Sequence, residues 1–585
     1  MHRTRVGSAA HAVISRAVIL TVVVVASACS IDKVAHSGTS SATTSPVVAA
    51  EFTNGTAKLG EPVSHPFDAA SLVGGDPLVV TTVEGPVKGA VTSGVRQFQA
   101  IPYAAAPLGD LRFRSPQPVK HWTIPRDATA KAPMCMQTLP VVNLTVGQED
   151  CLYLNVVAPA KPAATLAPVM VWIHGGGFTV GSVNDDSPVH LVERSGVVVV
   201  SINYRLGPFG FLAHPALEKE DPTHSTGAMG FLDQVAALEW VQRSAAAFGG
   251  DPANVTLFGE SAGGMSICGH LYSPRSTALF ERAVMQSGPC EQAGIPKARA
   301  VAQGNDLATA LHCDTGADVL ACMRALPAAT VFGAMPGDPT FLFRKAAFWL
   351  PTADDVVLPS DPAAARAAGR FNHVPILAGV NHDEGRLFFG MAAYSVNAAV
   401  PPIAAAEYPR RIAAYFGDAL GPKVVAKYPL ASYPDPGAAF GQAVGDAILA
   451  CPAVDGALAF SGTEPVHLYQ YEHTPNRFVL PITGIDLGAF HTAELPYVFG
   501  VPVASSGEIT FSADERALSD VMIDAWTRFA RTGDPSGASL PWPPAGSTRA
   551  YRVLDTKGGI AQGLRTDICA FWARSGFDPA TAGRQ

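Results

Sequence analysis

The stretch Phe258-Gly259-Glu260-Ser261-Ala262-Gly263-Gly264 has the pattern G-x-S-x-G and follows the strand-like run Asn254–Leu257. A serine at the centre of this pattern occupies a strained turn between a strand and a helix, which holds its hydroxyl above the edge of a sheet. Small residues are then required on both sides, and Gly259 and Gly263 meet that requirement. Chance matches are expected in a chain with 55 glycines, but the predicted strand–turn–helix context favours a nucleophilic Ser261.

The segments around this turn alternate between strand and helix patterns. Continuous apolar runs at Pro168–Ile173 and Gly196–Tyr204 are typical of parallel strands that are covered on both faces. Leu232–Val241 has helical periodicity, and Leu78–Val83 and Ala90–Thr92 have the pattern of an antiparallel start. We therefore expect an α/β fold with a doubly wound, mostly parallel central sheet and helices on both faces.

Composition limits the classes of function. The chain has 585 residues, of which 48% are hydrophobic and 15% charged, so it can bury a large core. Its formal net charge is −8, and it contains no basic run and no basic–aromatic stripe. A nucleic-acid partner is therefore not expected.

The first residues have the pattern of an export signal. Three arginines precede the apolar stretch Ala17–Ala28, which is too short to favour a membrane-spanning helix. Residues 1–28 are therefore predicted to be a signal peptide. The small residues before Cys29 allow two interpretations: ordinary cleavage and secretion, or a bacterial lipobox in which Cys29 is acylated. We favour the lipobox, because a cysteine directly before a polar tether is otherwise unexplained.

The rest of the chain is predicted to have three parts. Residues 29–76 are rich in Ser, Thr, Ala and Gly and are expected to form a flexible, lipid-anchored tether. Residues 77–575 are expected to form the α/β domain, and residues 576–585 a C-terminal tail. The predicted location is the outside of the cell membrane, held by the lipid anchor, with secretion as the alternative. The sequence does not indicate an oligomeric state.

Backbone donors for a reacting oxygen are predicted at His174-Gly175-Gly176-Gly177-Phe178, directly after the strand that ends at Ile173. Successive glycines let N–H groups approach a substrate oxygen with no side chain in the way, and each well-aimed donor contributes about 3 kcal/mol. A flexible turn or a phosphate loop is the alternative. The order of the two motifs, each after a strand, favours an oxyanion site. His174 itself is expected to be a structural hydrogen-bonding residue.

A hydrolytic serine in such a turn also needs an acid and a base, in the chain order Ser, acid, His. His467 lies inside a strand-like run and His473 in a predicted turn, whereas His491 lies in a Gly-led loop, where a catalytic base is expected. The acid follows an apolar strand as either Asp383 or Glu384. The residues alone do not decide between these two.

Eight cysteines follow the predicted signal region: Cys135, Cys151, Cys268, Cys290, Cys313, Cys322, Cys451 and Cys569. An exported chain meets an oxidising environment in which such residues pair, although sequence alone does not give the connectivity. Cys268 and Cys290 have no obvious partner. Cys268 is expected to be a buried thiol and not a reactive one.

From about Val79 to Phe571 the chain resembles the type-B carboxylesterase/lipase family, the cholinesterase-like branch of the α/β-hydrolases. The matching segments, which are specific in combination, are Phe98–Ala104, Leu111–Phe113, Glu149–Val156, the H-G-G-G-F and G-E-S-A-G motifs, Val380–Phe388, Gly488–Gly500 and Phe529–Pro535. The resemblance implies the α/β-hydrolase fold and a serine carboxylesterase that acts on small-molecule esters.

The resemblance also implies the roles of individual residues. Ser261 would be the nucleophile, Glu384 rather than Asp383 the acid, and His491 the base. The N–H groups of Gly176, Gly177 and Ala262 would form the oxyanion hole, and three disulfides would join Cys135 to Cys151, Cys313 to Cys322 and Cys451 to Cys569. Such a mechanism requires no metal or cofactor.

Glu260 and the loop between Cys135 and Cys151 bear on the mechanism and on the substrate. Glu260, beside the nucleophile, is either a carboxylate that acts on His491 or a structural acid, and we favour the former. The loop between Cys135 and Cys151 has only 15 residues and no aromatic side chain, so neither a large lipase lid nor a choline site is expected. A lipase for longer-chain acylglycerols, an amidase and a non-catalytic cholinesterase-like binding module are the alternatives.

Overall fold

The strands predicted around Ser261 lie at the centre of a large sheet in the computed structural model of the protein, which describes residues 76–139, 144–161, 165–290, 294–316, 318–335, 349–394, 400–475, 484–502 and 510–578. These residues all belong to one compact unit, His65–Val503 with Ile509–Gln585. The predicted signal peptide, the predicted acylation site Cys29 and all but the last residue of the predicted tether lie outside the described residues.

The described strands are, in chain order, β1 (Val79–Thr81), β2 (Pro86–Lys88), β3 (Ala90–Thr92), β4 (Val95–Pro102), β5 (Arg126–Asp127), β6 (Gln137–Leu139), β7 (Leu144–Val146), β8 (Tyr153–Pro159), β9 (Ala167–Ile173), β10 (Val198–Ile202), β11 (Gly250–Glu260), β12 (Arg282–Gln286), β13 (Ile295–Pro296), β14 (Thr352–Ala353), β15 (Ile376–Asn381), β16 (Val466–Tyr471), β17 (Tyr551–Leu554) and β18 (Ile560–Ala561).

Within the described residues, eleven of these strands form one sheet in the spatial order β18-β17-β16-β15-β12-β11-β9-β10-β8-β4-β3. The neighbours from β10 to β17 pair in parallel, and the strands at both edges pair antiparallel. The carboxyl ends of the parallel strands therefore meet along one edge, where α/β folds bind their ligands. The strand β11, which ends directly before Ser261, lies in the middle of that edge.

The described α-helices are, in chain order, α1 (Val189–Ser195), α2 (Gly207–Phe211), α3 (Pro215–Glu220), α4 (Met229–Ser244), α5 (Ala262–Tyr272), α6 (Lys297–Ala310), α7 (Val319–Ala325), α8 (Ala328–Ala334), α9 (Pro362–Ala367), α10 (Glu384–Tyr394), α11 (Tyr408–Phe416), α12 (Gly421–Lys427), α13 (Pro436–Gly445), α14 (Cys451–Leu458), α15 (Leu495–Phe499), α16 (Ala513–Thr532) and α17 (Thr566–Ser575).

Helices cover both faces of the sheet, as the burial of β9 shows. Its alternate residues Val169, Val171 and Ile173 pack in a hydrophobic cluster with α4 and α5. Met170 and Trp172 point to the other face and pack with α1, α15 and α16. Side chains alternate between the faces of a strand, so a strand that is buried on both faces must be apolar at every position. The predicted fold class is confirmed.

A third hydrophobic cluster lies among α10, α11, α13, α14 and α17. It contains the run Pro436–Leu458, which joins α13 to α14 through a π-helical turn at Asp446–Ala450. By length and composition this run could cross a membrane, but 94% of its apolar window is buried inside the protein. It is therefore a helix of the core.

The expected antiparallel start is confirmed: β1 pairs with β2 in a small separate sheet, and β3 pairs with β4 at the edge of the large one. One expectation differs from the structure. Cys268 was expected to be a buried thiol. It is bonded to Cys290, because α5 packs beside β12 and brings the two Cα atoms to 5.1 Å.

The other described disulfides join the pairs that the resemblance implied: Cys135–Cys151, Cys313–Cys322 and Cys451–Cys569. The loop between Cys135 and Cys151 forms a small hairpin of β6 and β7. Four disulfides in one chain are consistent with export to an oxidising compartment.

Candidate active site

Ser261 lies in the turn between β11 and α5 with φ 56° and ψ −119°. This left-handed backbone conformation costs a residue other than glycine about 1–3 kcal/mol, and the surroundings enforce it. The N–H of Ser261 donates to the carbonyl of Gln286 at 2.8 Å. A Cβ atom on Gly263 would lie 2.0 Å from the carbonyl oxygen of Ile173, and one on Gly259 would lie 2.6 Å from the same atom. Both glycines are therefore required for the turn to pack against β9.

The glycine-rich loop after β9 lies beside Ser261. A Cβ on Gly175 would be 3.1 Å from the Cβ of Ser261. The next three residues, Gly176, Gly177 and Phe178, all have positive φ, at 101°, 61° and 59°. Positive φ favours glycine at Gly176 and Gly177, and at Gly175 a Cβ would lie 2.7 Å from Glu260 Oε2.

The backbone N–H groups at this point that have no protein acceptor in the described part of the chain include those of Gly176, Gly177 and Ala262. The carbonyl of Gly176, in contrast, accepts hydrogen bonds from the N–H groups of Thr179 and Val180, each at 3.0 Å. The loop is therefore held through the Gly176 carbonyl, and its N–H groups are available to a ligand. Such free donors beside a nucleophile can stabilise a developing oxyanion.

His174 supports this loop. Its Nδ1 lies 2.9 Å from the carbonyl oxygen of Gly175, and its ring stacks on Tyr204 with centroids 4.4 Å apart. Burial lowers the pKa of His174 to about 4, so the ring is neutral and Nδ1–H donates to that carbonyl. The Tyr204 hydroxyl donates to the carbonyl of His174 at 2.9 Å. These are the contacts of a structural residue.

The structure distinguishes between the two candidate acids, which lie in the turn Asn381–Glu384, here called the acid turn. Glu384 Oε2 lies 2.6 Å from His491 Nδ1, and both side chains are buried. The other carboxylate oxygen, Oε1, accepts the N–H of Asn381 at 2.7 Å. Asp383 instead points to His382 and Arg386, at 2.9 and 2.7 Å. Only Glu384 is therefore placed to orient the imidazole.

Asp383 has a different role, which is to join the acid turn to the loop Gly488–His491, here called the histidine loop. Its N–H donates to the carbonyl of Ala489 at 2.9 Å, and its Oδ2 accepts the N–H of Ala489 at 2.8 Å. The side-chain amide of Asn381 adds a hydrogen bond to the carbonyl of Phe490 at 2.7 Å. The two loops are thus fixed to each other on either side of the Glu384–His491 contact.

The other nitrogen of His491 faces Glu260, the residue directly before Ser261. Nε2 lies 3.0 Å from Glu260 Oε1, but no described group, Ser261 included, makes a hydrogen bond of suitable angle with it. Burial alone would lower the pKa of His491, but the carboxylates of Glu260 and Glu384 outweigh it and raise that pKa well above its usual value. Catalytic hydrogen bonds are often loose without substrate and tighten in the complex.

A buried carboxyl group that sequence reasoning missed lies beside the acid turn and the end of β12. Glu494 is fully buried; its Oε2 accepts the side-chain amide of Asn381 at 2.6 Å, and its Oε1 accepts that of Gln286 at 3.0 Å. Trp526 donates to Gln286 Oε1 at 3.0 Å. Burial, with the nearby charge of Glu260, raises the pKa of Glu494 to about 8. The only signal in the sequence is its position three residues after His491, within the matching segment.

The remaining histidine candidates lie elsewhere. His467 Nδ1 is 3.0 Å from the carbonyl oxygen of Trp542, as expected for a satisfied core histidine. His473 Nδ1 is 3.1 Å from Asp555 Oδ1. Neither makes a described contact with Ser261 or Glu384.

The sequence model of the carboxylesterase family matches residues 76–572. The chain belongs to this family. It is similar to the para-nitrobenzyl esterase of Bacillus subtilis (strain 168), with 37% identity over 502 residues that cover 82% of this chain and 95% of that protein. It is similar to the acetylcholinesterase of Bungarus fasciatus, with 34% identity over 542 residues that cover 85% and 86%.

A solved structure of a PNB esterase agrees with this membership. It superposes with a TM-score of 0.70 at 34% sequence identity, over 85% of this chain and 100% of that chain. The α/β-hydrolase fold and the class of enzyme are therefore established: the protein is a carboxylic ester hydrolase.

Proposed function

We propose that the protein hydrolyses carboxylic esters through an acyl-enzyme on Ser261. Neutral His491 takes the hydroxyl proton on Nε2 as Oγ forms a bond to the ester carbonyl carbon, and the N–H groups of Gly176, Gly177 and Ala262 receive the oxyanion. The bond to the alcohol oxygen then breaks, and His491 gives that oxygen its proton. Water, activated in the same way, releases the acid and regenerates the serine.

The observation that carries this proposal is the position of His491. Its Nδ1 is held by Glu384 at 2.6 Å, and its buried Nε2 makes no hydrogen bond of suitable angle and lies 3.0 Å from Oε1 of Glu260, the residue directly before Ser261. An imidazole that is oriented through Nδ1 and keeps Nε2 for a proton is what a general base requires. The free N–H groups of the glycine loop support the same reaction.

Glu260 is proposed to act on His491 electrostatically, in agreement with the 3.0 Å approach of Glu260 Oε1 to Nε2. Its negative charge stabilises the imidazolium that forms in each half-reaction. Because it also raises the pKa of His491, Glu260→Gln is expected to move the acid limb of the kcat/KM profile to lower pH. An acid limb that stays in place would assign Glu260 a structural role.

The proposed substrates are soluble esters with short to medium acyl chains. The loop between Cys135 and Cys151 is closed by its disulfide, and its described residues form the short hairpin of β6 and β7. It is too short for a large cover of the kind that gates interfacial enzymes. It also carries no aromatic side chain for a choline cation.

The proposed location is the outer face of the cell membrane, with Cys29 acylated after signal cleavage. A diacylglyceryl group would supply the two chains that stable anchoring requires. Mass spectrometry of the mature N-terminus tests this proposal directly. An unmodified N-terminus at Cys29 or beyond would replace it with simple secretion.

Steady-state kinetics of Ser261→Ala and His491→Ala test the reaction. Each variant is expected to lose about 10⁴-fold or more of kcat/KM, because such residues act as a unit. The panel comprises p-nitrophenyl esters of increasing chain length, an emulsified triglyceride and an amide analogue. Wild-type turnover by Ser261→Ala would overturn the proposal, and absence of any turnover by the wild type would favour a binding module.

A further inference from the structure

Arg565 lies at the start of the C-terminal helix α17 and reaches the acid turn, far from it in sequence. Its side chain is 8% exposed. Nη2 donates to the carbonyl oxygens of Asn381 and His382, at 3.0 and 2.7 Å. Nε donates to Gln470 at 2.9 Å, and Nη1 pairs with Asp446. One guanidinium therefore connects the acid turn to the neighbouring strand β16 and to the π-helical turn.

The two carbonyls that Arg565 holds lie directly before the acid. Asn381 is fixed on both sides, because its N–H donates to Glu384 Oε1 at 2.7 Å while its carbonyl accepts from Arg565. The carbonyl of His382 also accepts the side-chain amide of Gln442 at 2.9 Å. The orientation of these peptide groups determines where the Glu384 carboxylate points. That carboxylate in turn orients His491.

We propose that Arg565 is a positioning residue for catalysis, which holds the acid turn so that the Glu384 carboxylate stays aligned on His491. This inference deepens the proposed acyl-transfer function and rests on it.

Asp446, which pairs with Arg565, and the helix that carries Arg565 are each held by further contacts. Asp446 is buried at the first position of the π-helical turn and also accepts the Tyr428 hydroxyl at 3.0 Å. The disulfide Cys451–Cys569 joins α14, directly after that turn, to α17, four residues beyond Arg565. Short π-helical insertions are frequently found at functional sites. Here the insertion presents Asp446 to the guanidinium, and the disulfide fixes the helix that carries Arg565.

The geometry suits arginine and not lysine. Arg565 uses its Nε, Nη1 and Nη2 groups toward different partners in one plane. An ammonium group is a point charge that rotates freely and has no planar fork. A lysine could keep the ion pair with Asp446 but could not hold both carbonyls and Gln470 together.

The test compares Arg565→Met and Arg565→Lys with the matched control Arg549→Met. Like Arg565, Arg549 lies in the C-terminal region and has a left-handed backbone conformation. It pairs at 2.9 Å with Asp455, which lies in the same helical run as Asp446, Pro436–Leu458. It makes no described hydrogen bond to the acid turn. All variants are measured at temperatures at which circular dichroism shows them fully folded.

Three readouts separate positioning from stability. First, kcat on a p-nitrophenyl ester should fall about 10²-fold in Arg565→Met, since small misplacements cost that much, with KM changed little. Second, the acid limb of the kcat/KM profile should move to lower pH, because a displaced Glu384 no longer raises the pKa of His491. Third, the far-downfield proton resonance of the Glu384–His491 hydrogen bond should shift or disappear. Arg565→Lys should show the same changes to a smaller extent.

Arg549→Met should lower Tm without moving any of these three readouts. The inference fails if folded Arg565→Met or Arg565→Lys keeps the wild-type acid limb and downfield resonance. If Arg565→Met does not fold, Arg565→Lys decides. An active Ser261→Ala would instead refute the proposed function itself, so the two failures are distinguishable.

Discussion

At the scale of single residues, two adjacent carboxylates with different contacts can be separated by experiment. Glu384 contacts His491, whereas Asp383 joins the acid turn to the histidine loop. Glu384→Gln is expected to lower kcat/KM about 10³- to 10⁴-fold, because an amide favours the wrong imidazole tautomer. Asp383→Asn should lower it far less and act mainly on Tm. Parallel kinetics of the two isosteric variants make the comparison, and equal losses would contradict the assignment.

Glu494 gives the structure a measurable pH dependence. Its pKa is raised from 4.5 to about 8 in the folded protein, so between these values the folded state holds a proton that the unfolded state releases. Its contribution to stability is therefore present at low pH and lost as pH rises toward 8, with a slope of at most about 1.4 kcal/mol per pH unit.

Glu494→Gln removes this titration. The variant is expected to lose stability at pH 5, because an amide cannot accept from both Asn381 and Gln286. The Tm difference from the wild type should then shrink as pH rises to 8. Tm measurements at both pH values make the test, and a difference that does not depend on pH would show that Glu494 titrates normally.

At the scale of structural elements, the turn between β11 and α5 depends on glycine at particular positions. A Cβ on Gly263 would lie 2.0 Å from the carbonyl oxygen of Ile173. Gly263→Ala is therefore expected to abolish activity. It should also destabilise the protein by at least the usual cost of core overpacking, about 1–3 kcal/mol. Gly333→Ala, in α8, is the control, because a Cβ there meets nothing within 4 Å. It should be neutral or stabilising in thermal unfolding.

Features formed by contiguous residues could be predicted from the sequence, whereas contacts between distant segments could not. The Ser261 turn and the glycine loop are contiguous segments, so their motifs predicted both turns. The choice of Glu384 over Asp383 depends on which side chain meets a residue about a hundred positions away, and only the family resemblance suggested it. The Gln286–Glu494–Trp526 contacts and the Cys268–Cys290 bond join distant segments, and no local pattern encodes them.

At the scale of the whole molecule, the loop of 15 residues between Cys135 and Cys151 is proposed to leave the site open to soluble esters. Activity on a short-chain triglyceride should follow ordinary saturation as its concentration passes the solubility limit. Choline esters should be hydrolysed no faster than neutral esters of equal size. Rates measured on both sides of the solubility limit make the test. A jump in activity there, or faster hydrolysis of long-chain triglycerides than of butyrate esters, would favour a lipase.

Trapping the acyl-enzyme intermediate tests directly whether Ser261 carries the acyl group. The wild-type protein is mixed with a p-nitrophenyl ester of a hindered acid that deacylates slowly, quenched in acid and analysed by peptide mass spectrometry. One acyl group is expected per chain, on the peptide that contains Ser261, together with a burst of p-nitrophenol. The label should be absent from Ser261→Ala. An acyl group on any other residue of the folded wild type, or a burst that Ser261→Ala retains, would contradict the account.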